Sequence, residues 1–159
     1  MKIAILAGGK GTRLSELTKS IPKPMVRIGG LPILIHIIGI YIKYGFRDFY
    51  ILAGFKSNII KKFFKNFRKL NKSFKFKLRN KICNITIIDS GKNSMTGGRL
   101  KKIKKFLKRD ESFMFTYGDG VSNLNIKKLI NFHKKNKKIF KTKRNFYVYL
   151  WRWCLKCKY

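Results

Sequence analysis

Acidic residues are scarce in this chain: 6 Asp and Glu stand against 39 Lys and Arg in 159 residues, for a formal charge of +33. No acid occurs between Asp48 and Asp89, which leaves room for a basic patch. Taken alone, that balance would argue for nucleic acid or an anionic membrane as partner. Two features discount it. Lys, Ile, Asn and Phe, all with A/T-rich codons, make up 76 of the 159 residues, and an A/T-rich genome produces such a bias without selection for a polyanion. The excess is also spread along the chain rather than confined to one helix or arm. No specific nucleic-acid partner is expected.

Cysteine is equally sparse, with Cys83, Cys154 and Cys157 only. Cys154 and Cys157 have C-x-x-C spacing, but one pair offers two ligands where a structural zinc site needs four. His36 and His133 lie far away in sequence, so free cysteines in a reducing cytoplasm are expected. Long apolar runs are missing too. Met1-Lys2 leads into the short run of residues 3–6 rather than a secretory h-region. The longest apolar segment, residues 33–42, contains His36 and is too short to span a bilayer. These absences predict a soluble cytoplasmic protein without membrane insertion, long enough for one domain with a sizeable core.

What is present begins at the N-terminus. The apolar residues 3–6 read as one buried strand. Leu6-Ala7-Gly8-Gly9-Lys10-Gly11-Thr12-Arg13-Leu14 follows, with three glycines in four positions. Such spacing lets the backbone turn sharply and approach a ligand, while Lys10, Thr12 and Arg13 stand ready for negative charge. This is the pattern of a phosphate-binding loop after a first parallel strand. It is not a dinucleotide fingerprint, because Leu14 stands where the last glycine of G-x-G-x-x-G belongs. Nor is it a Walker A loop, because Lys10 is followed by Gly11 rather than Ser or Thr.

Further along, Pro22-Lys23-Pro24 forces an extended path that suits a lysine reaching back over the first loop. Residues 25–28 read as a short strand and Gly29-Gly30 as a turn. Pro32 is placed at the first position of a helix ending near Tyr44, with Gly45 as its stop. Inside that helix His36 reads as a core or groove residue. Residues 48–54 form a second core strand, and strand–helix–strand order implies a parallel sheet. Ser57 is expected to cap a helix with Ile59, Ile60, Phe63, Phe64 and Phe67 inward and Lys61, Lys62 and Lys65 on a solvated face. Residues 74–78 alternate apolar and basic, as an edge strand does. Core-facing rings explain Phe74 and Phe76 better than base stacking, and residues 84–89 form another strand.

Thr96-Gly97-Gly98 then precedes a helix with Leu100, Ile103, Phe106 and Leu107 on one side. That helix start either presents free N–H groups to an anion or base edge or is an ordinary loop-to-helix junction. Residues 112–117 form a fourth core strand, ending in Gly118-Asp119-Gly120. An acid between glycines at the carboxyl end of a buried strand stands where open α/β sheets bind ligands. Mg²⁺ on substrate phosphates takes one or two carboxylates, which makes Asp119 the metal candidate. Asn125 caps a last helix, on which His133 reads as a surface or packing residue.

The opening loop and Pro22-Lys23-Pro24-Met25 resemble the sugar-phosphate nucleotidyltransferases. Met95-Thr96-Gly97-Gly98-Arg99-Leu100 and Thr116-Tyr117-Gly118-Asp119-Gly120 are similar to the glucose-1-phosphate cytidylyltransferase branch. The resemblance implies an α/β fold: a Rossmann-like, mostly parallel sheet with helices on both faces, incomplete at its C-terminus. It implies transfer of a cytidylyl group from CTP to α-D-glucose 1-phosphate, giving CDP-glucose and pyrophosphate with Mg²⁺ as cofactor. By position, Leu6, Ala7, Gly8, Gly9, Lys10, Gly11, Thr12 and Arg13 would wrap the nucleotide. Arg13 would hold the triphosphate and Lys23 the α-phosphate region, as the catalytic pair. Ser94, Thr96, Gly97, Arg99 and Gly118 would lie against base and nucleotide, and Asp119 would bind Mg²⁺. In-line attack by a sugar-phosphate oxygen asks for cations and oriented N–H groups rather than a covalent nucleophile, and no Ser–His or Cys–His arrangement stands out. A homo-oligomer is implied for the full-length protein.

Three departures from the family's pattern follow. Ile21 stands where a further lysine is often found, and the region between Phe67 and Ile85 is shorter. After about Ile139 the resemblance ends. Residues 1–139 therefore read as the N-terminal part of a nucleotidyltransferase domain and residues 140–159 as a non-homologous aromatic and basic tail. That tail holds both tryptophans and no acid or glycine, which predicts a shifted reading frame and a chain of low stability and little transferase activity. The alternatives are a related enzyme using UTP or dTTP, a cationic protein on nucleic acid or membrane surfaces, and a decayed gene product.

Overall fold

A computed structural model describes residues 1–9, 20–65, 70–108 and 111–135. The expectations placed on Lys10, Gly11, Thr12, Arg13, Phe67 and the tail of residues 140–159 lie outside the described residues. In chain order the elements are β1 (Lys2–Ala7), a 3₁₀ turn (Lys23–Met25), β2 (Arg27–Ile28), β3 (Leu31–Pro32), α1 (Ile33–Lys43), β4 (Asp48–Ala53) and α2 (Ser57–Phe63). β5 (Ser73–Leu78), β6 (Lys81–Asp89), α3 (Thr96–Ile103), a second 3₁₀ turn (Lys104–Phe106), β7 (Phe113–Tyr117) and α4 (Ile126–Lys135) follow.

The five-stranded sheet has the order β5-β6-β4-β1-β7. β6, β4, β1 and β7 run parallel, and β5 returns antiparallel along β6. Ile3, Ala4 and Ile5 of β1 are wholly buried, as an uninterrupted apolar strand must be when both faces of its sheet are covered. Alternate residues divide between two cores. On one face Ile3, Ile5, Phe49, Ile51, Ile85 and Ile87 pack with Leu34, Ile38, Ile60 and Ile126 from α1, α2 and α4. On the other, Ala4, Leu6, Leu52, Ile88, Phe113 and Phe115 pack with Ile103 and Leu100 of α3. The parallel sheet with helices on both faces is what the sequence predicts.

The β5–β6 hairpin also follows the pattern. Arg79 and Asn80 both adopt positive φ (46° and 59°), the left-handed pair of a two-residue hairpin turn. Phe74 and Phe76 turn inward, their ring centroids 5.9 and 5.1 Å from that of Phe64, so they belong to the core.

Local differences concentrate near the prolines and at helix starts. Lys23–Met25 winds into a 3₁₀ turn, and only Arg27–Ile28 is extended, pairing antiparallel with Leu31–Pro32. Gly29 and Gly30, with φ of +55° and +81°, make that turn. Pro32 thus ends a hairpin and stands just before α1 rather than inside it. His36 of α1 places Nε2 2.8 Å from the Ile28 carbonyl and so ties the hairpin to the helix. The far end of α1 behaves as predicted: Gly45 takes φ +93°, with Gly45 N–H donating to Ile42 O and Phe46 N–H to Tyr41 O. That pair of bonds is the glycine-terminated helix end.

Ser57 is the first residue of α2 and makes no capping bond; Lys56, in the left-handed region, precedes it. The chain enters α2 from a turn in which Ser57 N–H donates to Gly54 O, and Ile59 N–H, a donor the hydroxyl was expected to satisfy, bonds Lys56 O instead. Thr96, Gly97 and Gly98 form the first turn of α3 rather than a lead into it. Asn125 caps α4 as predicted, its Oδ1 accepting the Lys128 N–H at 3.1 Å. Among the described residues, no helix is long and apolar enough to cross a membrane.

Candidate functional site

The carboxyl ends of the parallel strands each run into a small residue: β1 into Gly8, β4 into Gly54, β6 into Ser90 and β7 into Gly118. Open α/β sheets bind ligands outside this edge. Leu6 and Ala7 are buried, so their side chains serve the core and only their backbone faces the edge. Gly8 O accepts the Phe55 N–H at 3.1 Å, and Gly118 N–H donates to Leu6 O at 2.9 Å. Gly9 is exposed, with open space where a Cβ would point.

Gly118 also sets the relation between two loops. A Cβ there would come within 2.9 Å of Leu6 O and 3.0 Å of Pro24 Cγ. The absence of a side chain lets the Asp119 loop press directly on the Lys23-Pro24 turn. Lys23 Nζ consequently lies 3.9 Å from Asp119 Oδ2, with side-chain exposures of 21% and 42%. Solvent screening keeps such a half-exposed pair to at most about 1 kcal/mol, so its meaning is placement rather than stability. Upstream, buried Tyr41 of α1 hydrogen-bonds Thr116, two residues before Gly118. Burial pushes the Tyr41 hydroxyl above its ordinary pKa, and the bond to Thr116 partly offsets that.

Arg99 occupies the other half of the edge. Projecting from α3, it is only 6% exposed. Its Nη1 donates to Ser90 Oγ at 2.6 Å and to Gly91 O at 2.9 Å, while Ser90 Oγ donates to Ala53 O. A Cβ on either Gly8 or Gly54 would overlap Nη1. Burial pulls the guanidinium pKa down, and the charge of Asp89 offsets part of that. Asp89 also accepts the Gly91 N–H at 2.9 Å. Ser94 lies against Gly91, its Oγ 2.7 Å from where a Cβ would stand. Thr96 is half-buried, and Gly97 is exposed with nothing near its missing side chain.

The structure therefore brings Gly8, Arg99, Ser94, Gly118, Lys23 and Asp119 to one edge of the sheet. Lys10, Gly11, Thr12 and Arg13 lie outside the described residues. Gly54, Ser90 and Pro24 were not among the sequence candidates. For Gly54 a signal was available, since Ala53-Gly54 repeats Ala7-Gly8, and in the structure Ala7 pairs with Ala53 in the parallel register.

Chemically, among the described residues the edge offers a buried cation, a half-exposed amine, glycine backbone and two carboxylates, Asp119 beside Lys23 and Asp89 beside Arg99. Among the described residues no group of three His, Cys, Asp or Glu gathers, so no all-protein metal cage is formed there. A Mg²⁺ carried mainly by substrate phosphates needs only one or two carboxylates. Asp119 fits that demand, and the lysine amine beside its Oδ2 marks where positive charge is accepted.

The sequence matches the nucleotidyl transferase family over residues 2–145. It is 48% identical over 148 residues to the glucose-1-phosphate cytidylyltransferase of Salmonella typhimurium, covering 87% of this chain and 58% of that protein. The probable glucose-1-phosphate cytidylyltransferase of Bacillus subtilis is 40% identical over 143 residues, covering 84% and 56%. The chain thus spans somewhat over half the length of these relatives. Among solved structures, HddC from Yersinia pseudotuberculosis complexed with GMP-PN superposes with a TM-score of 0.62 at 29% identity, over 83% of this chain and 53% of that one. The match over residues 2–145 covers most of the sequence, and the fold similarity agrees with it: the chain belongs to the nucleotidyl transferase family.

Proposed function

We propose that these residues build the nucleotide half of a sugar-1-phosphate nucleotidyltransferase that uses CTP and Mg²⁺, transferring the cytidylyl group to α-D-glucose 1-phosphate and releasing pyrophosphate. The observation that carries this reading is the Lys23–Asp119 pair, 3.9 Å apart at the carboxyl edge of the sheet. The 48% identity to a glucose-1-phosphate cytidylyltransferase supports the choice of base and sugar.

In this reading the backbone from Leu6 through Gly9 receives the nucleotide, with Lys10, Gly11, Thr12 and Arg13 continuing the loop along its phosphates. Gly118 contributes backbone beside it. Ser94, Thr96, Gly97 and Arg99 stand on the base side. Arg99 serves there as a fixed donor, because its hydrogen bonds to Ser90 and Gly91 hold the guanidinium in place before any ligand arrives. Lys23 faces the α-phosphate, where negative charge builds as the sugar phosphate attacks in line. Preorganised cations lower that barrier without reorganising during the step. Mg²⁺, when bound, neutralises phosphate charge, and Asp119 is the residue that would hold it. A homo-oligomeric, cytoplasmic enzyme of nucleotide-sugar biosynthesis is the setting this chemistry suits.

The test is a ligand panel read by thermal melting. With Mg²⁺ present, CTP should raise the melting temperature, as preferential binding to the folded state requires. UTP, dTTP and duplex DNA should do so less. Equal protection by all three triphosphates would remove the choice of base. Protection by DNA alone would replace the enzyme reading with a polyanion-binding one.

A further inference from the structure

The Lys23–Asp119 pair has a second aspect. Without nucleotide, the candidate metal carboxylate already has a cation beside it. The position is fixed from several directions. Met25 is buried in the core, and its N–H bonds Pro22 O at 2.8 Å, closing the turn that carries Lys23. The next bond, Val26 N–H to Lys23 O at 3.1 Å, holds the lysine's own backbone. Pro24 lies against Gly118, whose N–H is tied to Leu6 O. The two loops therefore meet through backbone and a proline ring, and the amine and carboxylate face each other as a consequence. Among the described residues, Asp119 is the carboxylate that pairs with Lys23.

We infer that Lys23 holds the metal's place at Asp119 in the nucleotide-free protein, so that the site discriminates against free divalent cation and admits metal together with nucleotide phosphates. The argument is electrostatic and rests on the proposed function for the identity of the ligands. A divalent cation arriving alone at Asp119 meets a lysine amine held against the same carboxylate, and repulsion lowers its affinity. A triphosphate brings its own negative charge, gives the lysine a better partner than a single carboxylate, and frees Asp119 for the metal. Each ligand thereby raises the affinity for the other, and linkage makes that effect reciprocal. Lys23 acts here as a residue that selects the form in which the metal enters.

The experiment is a titration of the whole chain with Mn²⁺ alone, followed by electron paramagnetic resonance of the free ion, without nucleotide. Lys23→Met and Lys23→Gln should each bind Mn²⁺ more tightly than the parent chain, by up to about five-fold, the most a half-exposed ion pair is worth. Adding Asp119→Asn to either should abolish the gain. Far-UV circular dichroism checks that the variants fold, and two different replacements guard against one failing to do so. Unchanged or weaker Mn²⁺ binding in the Lys23 variants, or no binding in any chain, would overturn the inference. The outcome separates from that of the nucleotide panel. A gain in Mn²⁺ affinity without CTP protection keeps the charge relation and removes the function, whereas CTP protection without the gain does the reverse.

Discussion

Arg99 Nη1 occupies the space that a side chain at Gly8 would need, and the same nitrogen blocks a side chain at Gly54. One buried guanidinium thus bridges α3 to the ends of the two neighbouring strands β1 and β4. The glycines at those ends are required by this packing as well as by any ligand.

Gly54→Ala is the sharper test of that packing. Its Cβ would meet backbone as well as the arginine, lying 2.8 Å from Gly91 O and 3.0 Å from Gly8 O. Backbone cannot swing aside as a side chain does, so overpacking should cost about 1–3 kcal/mol. Urea denaturation should show this as a lower midpoint with an unchanged slope.

Gly118→Ala is expected to act on ligands as well as on stability, because its Cβ also meets backbone. Its new methyl would push against Leu6 O and Pro24, separating the loops that carry Lys23 and Asp119. Affinity for CTP with Mg²⁺ should fall about ten-fold or more, since small misplacements of charged groups in such sites are costly. Calorimetry checks the affinity, and thermal melting of the unliganded chain should show a loss of stability of the kind expected for Gly54→Ala.

The opposite edge of the sheet carries a pH-dependent clasp. Lys2 Nζ lies 2.7 Å from Glu111 Oε2 and donates to Phe106 O at 2.8 Å. Burial alone would raise the Glu111 pKa, but the Lys2 hydrogen bond, the Lys108 N–H, the charge of Lys2 and the N-terminal amine together bring it below the ordinary value. A depressed carboxylate stabilises the fold above its unfolded pKa, about 4.3 for Glu, and that stability is lost as pH falls through the folded value. Melting temperatures between pH 7 and pH 3 should therefore fall less steeply at the acid end for Glu111→Gln than for the parent chain.

Cys83 should be chemically quiet. It is buried, its Sγ donates to Phe76 O, and burial raises its pKa to about 11. A thiol in that state presents almost no thiolate at neutral pH. Iodoacetamide at pH 8 should leave Cys83 unmodified in the folded chain and modify it in urea, as peptide mass spectrometry would show.

The sheet was legible because its strands are short apolar runs separated by helical spacing, a pattern that survives any local detail. The place of Asp119 at the carboxyl edge was legible because the acid directly follows a buried apolar strand. Two kinds of information stayed hidden. Helix starts at Ser57 and Thr96 depend on which backbone N–H groups already have partners, and sequence does not show that. The burial of Arg99 was hidden for a different reason. Arginine is read from sequence as a surface or ligand-facing residue, and only the convergence of Gly8, Gly54, Ser90 and Gly91 from three strand ends creates the cavity that encloses it. Ser90 carried a weak signal as a hydroxyl residue directly after a strand, and Gly54 a stronger one as the second Ala-Gly pair.

The most direct test of the nucleotide site is a calorimetric titration of CTP into this chain, with and without Mg²⁺. One nucleotide should bind per chain, more tightly when Mg²⁺ is present. Lys23→Met should weaken binding by about ten-fold or more, as loss of a charge-assisted bond does, and Asp119→Asn should remove most of the Mg²⁺ dependence. CTP binding that is indifferent to Mg²⁺ and to both substitutions, or no CTP binding at all, would contradict the account.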